Sequence, residues 1–233
     1  VNDPDALKAA NPSISAGRLD LETVLNDIKT LPEHEARRYR LNQFISGTAQ
    51  SWIPSDTFRK AGAKLSIPQE GGVFAVDISR NWEHATIAFC NEVDGVQQTE
   101  LVQTFVSPNE TQLFNRLVEL YHAHKPRAIT LDDRTLPSLG KRLKLSGLPV
   151  WQLWTKEISA ACSVVYSLFA TEKVKHNNDP LLIKQSPNGI AKYSGETWLI
   201  SRKESLGEID ALMATLMSIY VSSRAEHASI GVF

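Results

Sequence analysis

The sequence predicts an α/β domain: a mixed sheet of five or more strands flanked by helices, with a helical arm in front. Three observations carry that prediction. From Gly71 onward, apolar β-rich segments give way to, and then alternate with, amphipathic segments of helical period. The dipeptide Asp94-Gly95 stands between two strand-like runs as a hairpin signal, so the first three strands form a meander. Each later strand is reached through a helix, as parallel pairing requires.

Residues 1–66 differ in character from the remainder of the chain. The stretch "NDPDALKAANPSISAG" is punctuated by Pro, Asn, Ser and Gly and reads as loop. A short helix, "DLETVLNDIKTL", is capped by Asp20. The next, "PEHEARRYRLNQFI", has Pro32 at its first position and acids ahead of arginines. "WIPSDTFRKAG" reads as one more short helix. With little core-forming sequence, this part is expected to be an arm or linker that packs on something else, and residues 67–233 to be the α/β domain.

Within that domain, "VFAVDIS", "HATIAFCNEV" and "VQQTELVQTFV" are the three meander strands. "SPNETQLFNRLVELYHAH" is a helix with an expected capping box of Ser107 and Glu110. "RAITLDD" is a fourth strand, "LPSLGKRLKLSG" a short helix, "PVWQLW" a fifth strand and "TKEISAACSVVYSLFATEKV" a long helix. An irregular stretch with a short helix and a hairpin around "TWLIS" comes next. The last helix, "SLGEIDALMATLMSIYVSSRA", has a second expected capping box of Ser205 and Glu208. The order β-β-β-α-β-α-β-α is the ribonuclease H-like arrangement, in which the first, fourth and fifth strands run parallel and helices cover both faces. A flavodoxin-like order would need a helix directly after the first strand, where the hairpin stands instead.

Composition narrows the classes. At 233 residues, 42% hydrophobic and 22% charged, the chain can build a large core. A formal net charge of −1 excludes a broadly basic protein, so any nucleic acid would be held by a local basic patch. Cys90 and Cys162 lie in apolar runs and read as buried free thiols, not as a zinc or disulfide framework. No leader or membrane-spanning run is visible, and a reducing cytosolic setting is expected. No GxxxxGK[ST] motif occurs, so no P-loop ATP hydrolysis is expected.

Three acids stand at special places. Asp77 ends the first strand, Asp132 ends the fourth, and Asp210 lies near the start of the last helix. First and fourth strands are neighbours in the expected fold, which sets Asp77 beside Asp132; the packed helix aims Asp210 at the same spot. Clustered carboxylates repel unless a cation neutralises them, and an all-oxygen set favours Mg²⁺ or Mn²⁺. A pair of such ions suits phosphodiester cleavage. Each acid alone would read as a turn former or cap. Asp133 is the alternative to Asp132, because adjacent residues of a strand face opposite ways.

Glu83, His84 and His176 are candidate accessory groups. Lys184, Lys192, Arg202 and Lys203 surround the acids in the irregular region and are the expected phosphate contacts, together with the run Lys141, Arg142 and Lys144. His122 and His124 read as partners of a helix C-terminus, and Arg37, Arg38 and Arg40 as a solvated helix face.

Five segments, in order, resemble the large terminase subunits of tailed bacteriophages: "RRYRLNQFISGTAQSWIPSDTF", "VFAVDIS", "ITLDD", "VKHNNDPLLIKQSPNGIA" and "GEIDALMATLMSIY". The doublet Asp132-Asp133 and Phe44, where the family often has Trp, depart from the family pattern. The resemblance implies a metal-dependent DNA endonuclease that cuts concatemeric viral DNA during genome packaging. It implies Asp77, Asp132 and Asp210 as ligands of two Mg²⁺ or Mn²⁺ ions, with Asp77 bridging. It also implies double-stranded DNA, a small terminase subunit and a portal protein as partners, and action in the cytoplasm of the infected host. The Val start and the missing P-loop fit a chain in which 1–66 would connect to an absent N-terminal ATPase domain. The competing readings are another ribonuclease H-like nuclease of resolvase or transposase type, and a non-catalytic DNA- or portal-docking module. A sugar-kinase or actin-like ATPase would need a second copy of the fold.

Overall fold

The computed structural model describes residues 3–30, 40–41, 51–194 and 197–224. They belong to two compact units, Val1–Gln50 and Ser51–Phe233. The first holds α1 (Pro4–Ala10), α2 (Pro12–Ser15) and α3 (Leu21–Thr30). Asp20 caps α3 as expected, accepting from the Thr23 amide at 3.0 Å. Leu7, Ile14, Val24 and Ile28 form a small buried cluster, so this part has an apolar centre of its own. Of the helix expected from Pro32, all but Arg40 and Leu41 lies outside the described residues, Arg37, Arg38 and Phe44 included.

The second unit begins at Ser51. Its first helix, α4 (Ser55–Lys60), is preceded by Trp52 and Ile53, both buried in the main core with Phe58. The Trp52 indole donates to the Cys162 carbonyl at 3.2 Å, and Phe58 stacks on Phe169 at 5.3 Å. These few apolar residues follow no helix or strand period, so the sequence does not reveal that they belong to the α/β core.

Among the described residues of this unit, six strands form one sheet: β1 (Val73–Ile78), β2 (His84–Val93), β3 (Val96–Val106), β4 (Ala128–Asp132), β5 (Val150–Leu153) and β6 (Val174–His176). Their spatial order is β5-β4-β1-β2-β3-β6. The meander β1-β2-β3 is antiparallel, while β4 joins β1, β5 joins β4 and β6 joins β3 in parallel. Asp94 and Gly95 both have positive φ, 52° and 75°, as the tight hairpin demands. Strand directions and order are those of the expected ribonuclease H-like sheet. The sixth strand, β6, has three residues and is too short to show a period in sequence.

Alternation along β1 and β2 feeds two cores. Phe74, Val76, Ile87 and Phe89 pack with α5 (Glu110–His124) and α6 (Pro137–Leu145). Val73, Ala75, Ala88 and Cys90 pack with α7 (Thr155–Ala170) and α9 (Asp210–Ser222) on the opposite face. Every residue of α9 is buried, which its small residues Ala211, Ala214 and Ser218 allow. Between α7 and α9 the chain makes β6, α8 (Pro180–Gln185) and a separate hairpin, β7 (Ala191–Ser194) with β8 (Thr197–Ile200).

Both capping boxes differ from expectation. The box of α5 is Asn109 with Gln112, which fits the same S/T/D/N-x-x-E/Q spacing two residues on. Glu110 instead accepts from Ser138. Helix α9 starts at Asp210, and the Ser205 hydroxyl donates to the Ser201 carbonyl at 2.7 Å.

His176 is fully buried in β6, at the sheet edge away from β1 and β4. Its Nε2 donates to the Phe58 carbonyl at 2.9 Å, its Nδ1 accepts from the Asn178 amide at 3.2 Å, and its ring stacks on Phe58 at 4.5 Å. The candidate accessory group is thus a structural tie between α4 and the sheet. Burial lowers its pKa below the ordinary 6.5, outweighing the opposing bond to Phe58. The unfolded chain therefore takes up the proton first, so this contribution is complete above about pH 6.5 and fades as pH falls. Denaturant melts between pH 7.5 and 5 are expected to lose stability toward acid, with a shallower slope for His176→Gln. Equal slopes would assign the acid sensitivity elsewhere.

Candidate functional site

Register decides which acids meet. Asp77 pairs with Thr86 across the β1–β2 ladder, on the sheet face that α9 covers. In the parallel ladder Val76 pairs with Leu131, so Asp77 and Asp132 come next, side by side. Thr130 and Asp132 alternate with Ile129 and Leu131, which point into the other core. Asp210, the first residue of α9, comes down on the same face: Thr86 donates its hydroxyl proton to Asp210 Oδ2 at 2.5 Å. The three carboxylates are 0%, 0% and 1% exposed.

Burial on this scale needs compensation, and each acid has it. Arg202, in the turn after β8, forks onto Asp77 with its two terminal nitrogens at 2.6 and 2.7 Å. The same guanidinium lies 3.8 Å from Asp132. Arg134 holds Asp132 through its amide at 2.9 Å and through its side chain at 3.1 and 3.3 Å. Gln185, at the end of α8, donates to Asp210 Oδ1 at 2.8 Å. Its carbonyl accepts from the amides of Ala211 and Leu212. One neutral side chain thus orients the carboxylate and caps the helix that carries it.

The electrostatics tie the three acids to one point. Burial pushes the Asp77 carboxyl up to about 6 against the pull of Arg202, and Asp132 and Asp210 push it the same way. Burial disfavours the charge of Arg202, but Asp77, Asp132 and Asp210 more than restore it, and its pKa is raised. A cleft of about 100 Å³ beside the cluster is lined by Ser79, Arg80, Arg202, Gly207, Glu208, Ile209 and Asp210.

The other sequence candidates fall elsewhere. Asp133 turns away to Gln152 of β5, which donates to it at 2.5 Å. Glu83 and His84 lie at the β1–β2 turn, and among the described residues neither side chain hydrogen-bonds to the acids. Arg202 is a counterion of the acids and not a free phosphate contact. Lys192 pairs with Glu204 at 2.7 Å, whereas Lys184 and Lys203 are exposed. Lys141, Arg142 and Lys144 belong to α6, on the opposite face of the sheet, where Arg142 sits 3.9 Å over the Phe114 ring. Cys90 and Cys162 are buried, and burial pushes both thiols up to about 12. Thr86, Arg80, Arg134 and Gln185 have no local signature. Gln185 meets Asp210 across 25 residues of chain.

Could these residues hold divalent ions? The donors are hard oxygens, and three carboxylates face two guanidiniums, so the chemistry suits Mg²⁺ or Mn²⁺. As arranged, no three His, Cys, Asp or Glu side chains among the described residues converge enough to enclose an ion. Arg202 lies between Asp77, at 2.6 Å, and Asp132, at 3.8 Å.

Truncating Gln185 to Ala should remove the partner of Asp210 Oδ1 and of two helix amides, leaving Asp210 held by Thr86 alone among these groups. Urea unfolding is expected to show a loss of about 1–3 kcal/mol; no loss would mean that water or another side chain caps α9.

No family model and no curated protein matches the sequence. Solved structures do. The HK97 bacteriophage large terminase aligns with a TM-score of 0.63 at 17% identity, over 95% of this chain and 54% of that one. This chain thus spans about half the length of that protein. The large terminase nuclease of thermophilic phage G20c with bound magnesium aligns with a TM-score of 0.56 at 11% identity, over 74% of this chain and 98% of that one. The nuclease domain of the Thermus phage P74-26 large terminase aligns with a TM-score of 0.50 at 14% identity, over 67% and 82%. The Ser51–Phe233 unit accordingly has the ribonuclease H-like fold found in bacteriophage large terminase nucleases.

Proposed function

We propose that the chain is the nuclease part of a bacteriophage large terminase, a metal-dependent endodeoxyribonuclease that cuts concatemeric DNA during packaging. One observation carries the reading: three carboxylates from two parallel strands and a helix start are buried on one face of a sheet whose fold is that of nucleases solved with magnesium and with cobalt. Asp77, Asp132 and Asp210 would hold the ions. Bound there, Mg²⁺ or Mn²⁺ would supply charge stabilisation at the scissile phosphate and a lowered pKa for water. Thr86 and Gln185 hold the Asp210 carboxylate in one orientation, and Arg134 does so for Asp132, so that little reorganisation is left for the reaction. Arg80, on the cleft rim, and the exposed Lys184 and Lys203 are the phosphate contacts on this side of the molecule.

In this reading residues of the N-terminal unit lead to an ATPase domain of the same polypeptide. The small terminase subunit and portal protein would be partners, and the host cytoplasm the site of action. Contacts to backbone phosphates imply low sequence preference. A non-catalytic DNA- or portal-docking module is the second reading; it is favoured by the way Arg202 already saturates Asp77.

Supercoiled plasmid separates the two. With Mn²⁺ or Mg²⁺ the protein should nick and linearise it, Asp77→Ala and Asp132→Ala should each lose about 10²-fold or more, and Asp133→Ala should stay within a few-fold. Plasmid left intact across both metals at high protein concentration supports the docking module. Cleavage that survives Asp77→Ala overturns the site.

A further inference from the structure

We propose that Arg202 is an exchangeable cation: without substrate it takes the place of a divalent ion against Asp77 and Asp132, and a DNA phosphate takes it over when metal enters. The inference rests on the nuclease reading and adds to it an order of assembly, in which metal loading and DNA binding are coupled through one side chain.

The partners of the three acids are unequal. Asp210 is held by two neutral groups, Thr86 and Gln185, which stay useful whatever cation is present. Asp132 has Arg134, its neighbour two residues on, which remains close in any state of the loops. Among the described residues Asp77 receives side-chain hydrogen bonds from Arg202 alone. If Arg202 left with nothing in its place, a fully buried carboxylate would stand bare, which is strongly unfavourable. Departure of Arg202 therefore needs a replacement at Asp77, either a metal ion or a proton on the carboxyl.

Arg202 is also placed to leave. It sits in a turn outside the six-stranded sheet, its side chain is 17% exposed, and it lines the cleft that Arg80 borders. Its Nε is buried without a hydrogen-bond partner among the described residues, so its present seat is incomplete. A phosphate offers a guanidinium the same forked geometry as a carboxylate, without that loss. While Arg202 occupies Asp77, the metal-competent state is a minor one, and apparent metal affinity falls by its fraction.

Two titrations test the exchange on the whole chain. In the first, Mn²⁺ is added without DNA and free Mn²⁺ is read by electron paramagnetic resonance. Arg202→Met should bind Mn²⁺ on the order of tenfold tighter than the parent, and Arg202→Lys, which keeps the charge, should stay near the parent. If Arg202→Met is unfolded in EDTA, Mn²⁺ should restore its melting transition. In the second, a labelled DNA duplex is bound in EDTA and in Ca²⁺. Parent and Arg202→Met should bind alike in EDTA, and the parent should bind several-fold tighter in Ca²⁺, where its guanidinium is free for phosphate.

Equal Mn²⁺ affinities, a Met variant that Mn²⁺ does not restore, or a DNA defect of the same size in EDTA and Ca²⁺ would each overturn the exchange. Absence of Mn²⁺ uptake by any of the proteins would overturn it too. Plasmid cleavage by the parent then tells whether the nuclease reading falls with it.

Discussion

Three carboxylates are buried on one face of the sheet, and much of the surrounding structure neutralises them. Asp77 is enclosed by apolar strand on both sides, yet it is held by a forked guanidinium from a turn far along the chain. Arg202 reaches that position only because the β7–β8 hairpin delivers it to the carboxyl end of β1. The same guanidinium feels Asp132 and Asp210, so three separate elements are drawn to one charge. Such a network adds little net stability over an apolar core of equal volume, because desolvation offsets most of the attraction.

Helix α9 shows how the cost is distributed. It is buried along its whole length, so its first amides need partners that water cannot supply. Gln185 satisfies two of them while it holds Asp210. Capping the helix and orienting the carboxylate are therefore one task, and the short helix α8 exists in part to perform it. Small residues along α9 let it lie close to β1 and β2, which brings Asp210 within reach of Thr86.

Much of the second unit was legible in the sequence. β2 and β3 are bounded where period and the Asp94-Gly95 signal put them, and α5, α6 and α7 coincide with amphipathic runs. The short or aperiodic pieces were not legible. β6 is three residues long, and Trp52, Ile53 and Phe58 are isolated apolar residues whose burial depends on α7 and His176. The capping box of α5 slipped because two residue pairs near its start match the same spacing, and at α9 the expected Ser205 turns back to the Ser201 carbonyl instead of capping.

The sequence by itself determined β1 to β5, the Asp94-Gly95 hairpin, the main helices and three acids at the ends of such elements. Local period and turn chemistry suffice for these. Only the tertiary structure decided that Asp132, not Asp133, shares a face with Asp77, since that depends on register, where one residue reverses every side chain. It also decided that Arg202 is a counterion and that His176 is a tie between α4 and β6. The contact between Arg202 and Asp77 closes across 125 residues of chain. No local pattern can encode such a meeting; it exists only once the sheet, the hairpin and α9 have packed.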